Sequence, residues 1–276
     1  MSVGPRGSHM SQTSSHKDEP RLQLCILYVV RAYDLTPHMR RIVLGGQDLA
    51  TFDVPHNALG PYIKLLIPPN GIEPEWPSLG SDGRLIWPAL DRRPVMRTYS
   101  VRRFDKAARE LHVDFVMHGD RGVASAWAAR AKTGDRIGLW GPGCITTQNI
   151  DWYLFAGDHT ALPAIAFILE NLPPTARGEA FIEIPDPSEK QRFCKPSGIG
   201  IRWLVHDGAT SALQEAVKAA SWPEGSRVFV WAGAECATAR SIRAHMRKKT
   251  GLDRRQMHIL NHWRRGLAEG AFGYLD

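Results

Sequence analysis

Between Arg21 and about Ile145 the chain is built from short apolar runs broken by polar residues: LQLCILYVVRAYDL, RRIVLGG, PYIKLLIP, RTYSVRRF and ELHVDFVMHG. Proline and glycine punctuate them at Gly60-Pro61, Pro68-Pro69-Asn70-Gly71 and Gly80-Ser81-Asp82-Gly83. Strand signals at this spacing, with turn chemistry between them, predict an antiparallel β-barrel. One Ala-rich stretch, residues 124–132, predicts a short helix within it. After Gly141-Pro142-Gly143 the texture changes. Strands are expected at 152–156, 179–184, 202–206, 227–232 and 257–262, and helices at 162–172, 212–220 and 237–250. Alternation of this kind predicts a parallel sheet covered by helices. The chain thus divides into a tail at 1–20, a barrel domain at 21–146 and an α/β domain at 147–276. The tail carries the GSHM of a cleavable tag followed by a polar run, expected to be disordered.

The composition fits this picture, being 43% hydrophobic and 23% charged over 276 residues, enough for a large core and unlike a disordered or collagenous chain. No apolar run approaches the length of a membrane helix. The four cysteines (Cys25, Cys144, Cys194, Cys236) are scattered without pairing, which points to a reducing, cytoplasmic setting. The formal charge is +7, but residues 240–265 hold nine basic residues against Asp253 alone. The remainder of the chain is therefore close to neutral, and the basic segment suggests an anionic partner or a solvated helix face.

Chemistry concentrates at Arg97-Thr98-Tyr99-Ser100-Val101-Arg102. On a strand, Arg97 and Tyr99 share one face while Thr98 and Ser100 share the other. A cation, a flat ring and hydroxyls at fixed positions suit a flavin, although an ordinary strand with two exposed arginines has the same pattern. A second candidate is Ala156-Gly157-Asp158-His159-Thr160, where a strand gives way to a helix, the usual ligand position in an open α/β sheet. Asp158 and Thr160 there either shape the approach to the flavin or cap the helix. GxGxxG and Walker sequences are absent, which disfavours a dinucleotide-binding dehydrogenase or a P-loop enzyme. Lys190 and Arg192 follow the strand ending at Ile184 and suit a 2′-phosphate. His258 and His262 lie four residues apart, but on a strand that spacing is roughly 13 Å, too long for shared metal ligation. No metal site is expected.

Taken together, these motifs resemble the siderophore-interacting proteins, FAD-containing ferric-siderophore reductases of the ferredoxin-reductase-like group. The resemblance rests on RTYSVR, on His112 to Gly119 with Gly122 and Ala124-Ser125-Ala126-Trp127, on Gly134-Asp135 and Gly141-Pro142-Gly143, on Ala156 to Ile165 with Val230 to Glu235, and on His262-Trp263-Arg264-Arg265-Gly266. It implies an FAD-binding barrel followed by an NAD(P)H-binding domain, with NADPH or NADH as electron donor. Arg97 is assigned to the FAD phosphates, Tyr99 to the flavin ring and Ser100 to its polar edge, with Thr98 among the cofactor-binding residues. Asp114, His118, Gly122, Ala124 and Ser125 fall in the following flavin segment, and Trp263 is suited to cover an aromatic face. His262 departs from the family's usual Tyr. Lys64, Arg264 and Arg265 are the candidates for an anionic ferric siderophore, each also readable as a solvated cation. No recognised nucleic-acid motif accompanies the basic residues, so no nucleic-acid partner is expected, and the chain is expected to be a monomer. A reductase with a protein electron partner, and a basic module that binds siderophore or nucleic acid without catalysis, are the competing readings.

Overall fold

A computed structural model describes residues 22–119, 122–206 and 211–269, so the tail at 1–20 lies outside the described residues. The first half contains nine strands: β1 (Gln23–Thr36), β2 (Met39–Gly45), β3 (Ala58–Ile67), β4 (Ser78–Leu79), β5 (Leu85–Ile86), β6 (Val95–Ser100), β7 (Arg103–Asp105), β8 (Glu110–Val116) and β9 (Arg136–Thr146), with helix α1 (Val123–Arg130) before the last. Seven of them form one antiparallel sheet in the order β6-β3-β9-β1-β2-β8-β7. The two end strands are separated by only Val101 and Arg102, and Arg102 N–H donates to the His112 carbonyl at 2.9 Å. A single bent segment thus leaves β3 and joins β8, closing the sheet into the expected barrel. Inward residues alternate along β1 (Cys25, Leu27, Val29) and meet Ile63, Leu65, Val113, Phe115 and Leu139 in the core.

Two elements differ from the sequence reading. The run 97–104 is interrupted at the barrel corner, and β9, hidden by Gly141-Pro142-Gly143, is a central strand between β3 and β1. A proline is tolerated there because the β3–β9 ladder shifts register on both sides of Tyr62, opposite Gly143. The excursion between β3 and β6 also carries the small β4–β5 hairpin.

The second half is the expected parallel sheet: β10 (Trp152–Gly157), β11 (Gly178–Ile184), β12 (Ile199–Val205), β13 (Val228–Glu235) and β14 (Met257–Trp263), in the order β12-β11-β10-β13-β14. Helices α2 (Leu162–Asn171), α3 (Ala212–Ala219) and α4 (Cys236–Lys249) connect them. β10, β11 and β13 are buried nearly throughout, as central strands covered on both faces must be. Residues 162–169 of α2 are all buried, because the helix lies between the sheet and β3 of the barrel. On the far face α3 and α4 pack together against Leu154, Phe181 and Val230.

Close approach and buried charge seat the barrel on the sheet. Gly60 of β3 has φ +66, and a Cβ there would stand 2.7 Å from the Trp231 indole nitrogen of β13. Arg102 forms a two-pronged ion pair with Glu170 of α2 at 2.7 and 2.8 Å. Glu189, from the loop after β11, has no exposed side-chain surface. It accepts from the Thr36 hydroxyl and from His38 N–H at 2.9 Å and lies 2.8 Å from His38 Nδ1, all at the β1–β2 turn. His159 Nε2 stands 3.1 Å from the oxygen that Thr36 holds.

These contacts make the seat sensitive to acid. Burial pushes Glu189 up, but hydrogen bonds from Thr36 and His38 and the neighbouring His159 outweigh it and hold the carboxyl below the usual range. Burial pushes His159 down, only partly opposed by Glu189 and Asp158. A depressed carboxyl stabilises the fold above its ordinary pKa and loses that contribution as pH falls; a depressed imidazole penalises protonation below about 6.5. Both act in one direction. Melting temperature should therefore fall on acidification, below about pH 6.5 through His159 and below about pH 4.5 through Glu189, and Glu189→Gln should cost about 3 kcal/mol at neutral pH while removing the part of the fall below about pH 4.5. An unchanged acid limb in the variant contradicts the assignment. Gly60→Ala should independently lower stability by about 2 kcal/mol, through overpacking on Trp231 and the left-handed backbone.

Candidate active site

In the parallel sheet, β11 and β13 flank β10 and are reached in opposite directions, so the carboxyl ends of β10 and β13 border the switch-point crevice where open α/β sheets bind ligands. Glycines keep it narrow. A Cβ on Gly157 would come within 2.6 Å of Ala161 Cβ, and one on Gly233 within 2.5 Å of His262 Nε2. Asp158 ties three strand ends together. One oxygen accepts from Thr160 N–H at 2.9 Å and the Thr160 hydroxyl at 2.6 Å. The other accepts from Glu235 N–H at 2.9 Å and Trp263 Nε1 at 2.8 Å. Both readings of Asp158 and Thr160 therefore meet: the pair orders the turn into α2 and also orients Trp263 at the mouth.

The same network orients His262. Thr160 Oγ1 donates to Asp158, so at 3.3 Å it accepts from His262 Nδ1–H, which fixes the neutral tautomer and leaves Nε2 over Gly233. Burial holds this imidazole below its ordinary pKa. Its ring meets Trp231 edge to face at 6.0 Å. An unbroken series of contacts thus runs from Gly60 in the barrel through Trp231, His262 and Thr160 to Asp158 and Trp263.

On the barrel side, β6 is an edge strand paired, among the described residues, only with β3. Tyr99 turns toward the core, its ring 4.3 Å from Phe115, which lies 5.8 Å from Trp127 of α1. Arg97 is on the same face, while Thr98 and Ser100 share the opposite one with Lys64, the register partner of Thr98. Gly122 caps α1 without a side chain, at φ 135, and its missing Cβ would stand 3.3 Å from the His118 ring. The helix begins at Val123, one residue before the expected start, so Ser125 lies inside its first turn. The Ser125 hydroxyl donates to Gly119 O at 2.9 Å and accepts from His118 N–H at 3.4 Å, pinning the approach to the helix. Asp114 is buried, with both oxygens held by Arg41 at 2.6 and 2.7 Å.

The basic segment splits in two. Arg240, Arg247 and Lys248 are exposed on α4, on the sheet face opposite the barrel. Arg264 and Arg265 instead follow Trp263 at the crevice, in a turn where Arg265 N–H reaches Glu235 at 3.4 Å. Lys190 and Arg192 are exposed just beyond Glu189. Among the described residues no group of His, Cys, Asp and Glu has the arrangement of a metal site.

Comparison with known proteins gives this two-part arrangement a family. Residues 28–146 match the model of the siderophore-interacting FAD-binding domain, and residues 150–266 match that of the siderophore-interacting protein. The chain belongs to the siderophore-interacting protein family. Among relatives, ferric vibriobactin reductase ViuB of Vibrio cholerae is 31% identical over 252 residues, covering 90% of this chain and 92% of that one. The NADPH-dependent ferric-chelate reductase of Escherichia coli K12 is 30% identical over 186 residues, 66% and 71% of the two chains. The crystal structure of the siderophore-interacting protein SipS from Aeromonas hydrophila superposes with TM-score 0.75 at 33% identity, over 91% of this chain and 95% of that one.

The FAD expected in this family fits the residues present. An uncapped helix start beside two left-handed glycines, Gly119 and Gly122, offers a close, positively polarised approach for a pyrophosphate, and Tyr99 backed by Phe115 offers a fixed aromatic surface. The sequence motifs missed two of the carboxylates that join the halves, Glu189 and Glu269; each lies outside a periodic run, and only the fold brings it to its partners. The Asp158 network predicts a measurable coupling. In a cycle with Trp263→Phe, Asp158→Ala should cost about 2 kcal/mol alone, with about 1 kcal/mol of it shared between the two positions. Additive unfolding energies contradict the network.

Proposed function

We propose that the protein reduces ferric siderophores to release Fe(II), using FAD and NAD(P)H, as a cytoplasmic monomer. The observation that carries this reading is the joining of two half-sites in one chain: the Arg97–Tyr99 edge of the barrel and the Asp158–His262–Trp263 crevice of the sheet. FAD, when bound, supplies the exchange between a two-electron donor and a one-electron acceptor.

The chain's own residues divide the remaining work. Arg97 and the α1 start neutralise the phosphates, with His118, Gly122, Ala124 and Ser125 shaping the approach. Tyr99 fixes the ring plane, and Thr98 and Ser100 border its polar edge. Asp114 acts indirectly by holding Arg41, and Asp158 and Thr160 act by orienting Trp263 and His262. Lys190 and Arg192 receive the 2′-phosphate of NADPH, the donor named for the Escherichia coli relative. Lys64, Arg264 and Arg265 draw in the ferric chelate, which is the substrate. Its hard oxygen donors hold Fe(III) far better than Fe(II), so reduction loosens the metal without cleaving the ligand. No helix among the described residues is long and apolar enough to cross a membrane. The four scattered cysteines support the cytoplasmic assignment.

Anaerobic incubation of the FAD-loaded protein with NADPH, a ferric siderophore and an Fe(II)-trapping chelator tests the reading. Stoichiometric Fe(II) is expected, and none without FAD. Arg97→Ala and Tyr99→Ala should each weaken FAD binding by about tenfold or more, read as the dissociation constant. Replacing both Lys190 and Arg192 by Ala should raise KM for NADPH by about tenfold while leaving that for NADH unchanged. Failure to bind FAD, or FAD bound without Fe(II) release, overturns the assignment.

A further inference from the structure

Residues 264–269 cross back from the sheet to the barrel. After Trp263 the chain turns, with Leu267 N–H donating to Arg264 O at 3.1 Å and Gly266 at φ 76, and Glu269 reaches β6. Its carboxylate accepts from Thr98 N–H at 2.8 and 3.0 Å and from the Thr98 hydroxyl at 2.6 Å. That hydroxyl in turn accepts from Lys64, whose ammonium stands 3.8 Å from Glu269. The lysine and glutamate side chains are only 24% and 19% exposed. An anion belonging to the chain therefore sits on the open edge of β6, on the donors that an incoming anion would use.

We propose that Glu269 is a specificity-determining residue that selects ferric chelates by charge. With Glu269 in place, Lys64 is locally neutralised. A highly anionic chelate must displace the carboxylate and the tail that carries it, or meet its repulsion at short range in a partly desolvated place. A neutral chelate meets no such barrier. The tail thus biases the protein toward neutral, hydroxamate-type siderophores and against trianionic, catecholate-type ones, a discrimination made by a repulsive element as much as by contacts. This inference rests on the reading that the chelate docks at Lys64.

Gallium(III) complexes, which match ferric charge and coordination but accept no electron here, isolate binding from reduction. Isothermal titration of FAD-loaded protein at low ionic strength would compare gallium tris-catecholate, a trianion, with a neutral gallium tris-hydroxamate. Glu269→Gln should tighten the trianion by about fivefold and leave the neutral complex within about twofold, and Glu269→Ala should act in the same direction. Added salt should shrink the difference. Equal shifts for both complexes, or no shift in either variant while Lys64→Gln weakens the trianion, overturn the charge-selecting role but leave the docking site standing. Trianion binding unaffected by Lys64→Gln removes the docking site itself, and the inference with it.

Discussion

A carboxylate with no exposed surface, drawn from the loop after β11, meets the turn between β1 and β2, and together with the Arg102–Glu170 pair this meeting sets where the barrel's candidate residues stand relative to the crevice. Removing Glu189 from water is unfavourable unless donors replace the lost hydration. Thr36 and His38 of the barrel supply them, one at each oxygen, with His159 beside the oxygen that Thr36 holds. His159 follows Asp158 directly, so the residue that anchors the two halves is one peptide away from the residue that orders the crevice. Seating and site geometry are therefore coupled through covalent neighbours.

The seat also explains small residues that otherwise have no local reason. Gly60 lets β3 approach Trp231, whose indole then fixes one side of His262. Gly233 lets the imidazole lie against the sheet. With these in place the edge strand β6 and the carboxyl ends of β10 and β13 face a common seam, bridged by Glu269. A flavin requires such a seam, because its ring must be reached by a nucleotide from one side and a bulky chelate from another.

Much of this was legible in the sequence. Alternation on β6 announced Arg97 and Tyr99 as a shared face, the change of texture after Gly143 announced the parallel sheet, and the residue at 262 stood out because it departed from the family's Tyr. β9 was illegible because glycine and proline mask a strand whose irregularity is absorbed by a bulge in its partner. Glu189 was overshadowed by the cations beside it, Lys190 and Arg192, since nothing in a loop sequence distinguishes a buried carboxylate from a solvated one. The basic segment was visible, but not its division: Arg240, Arg247 and Lys248 lie on the far face of the sheet, while Arg264 and Arg265 alone accompany Trp263 to the crevice.

The central claim is that FAD occupies the seam between the β6 edge and the switch-point crevice. The distance from the isoalloxazine ring to Tyr99 in a crystal of the FAD complex tests it most directly. The account predicts ring contact at about 4 Å, with the pyrophosphate at the start of α1. A flavin bound elsewhere, with Tyr99 remote from the ring, would contradict it.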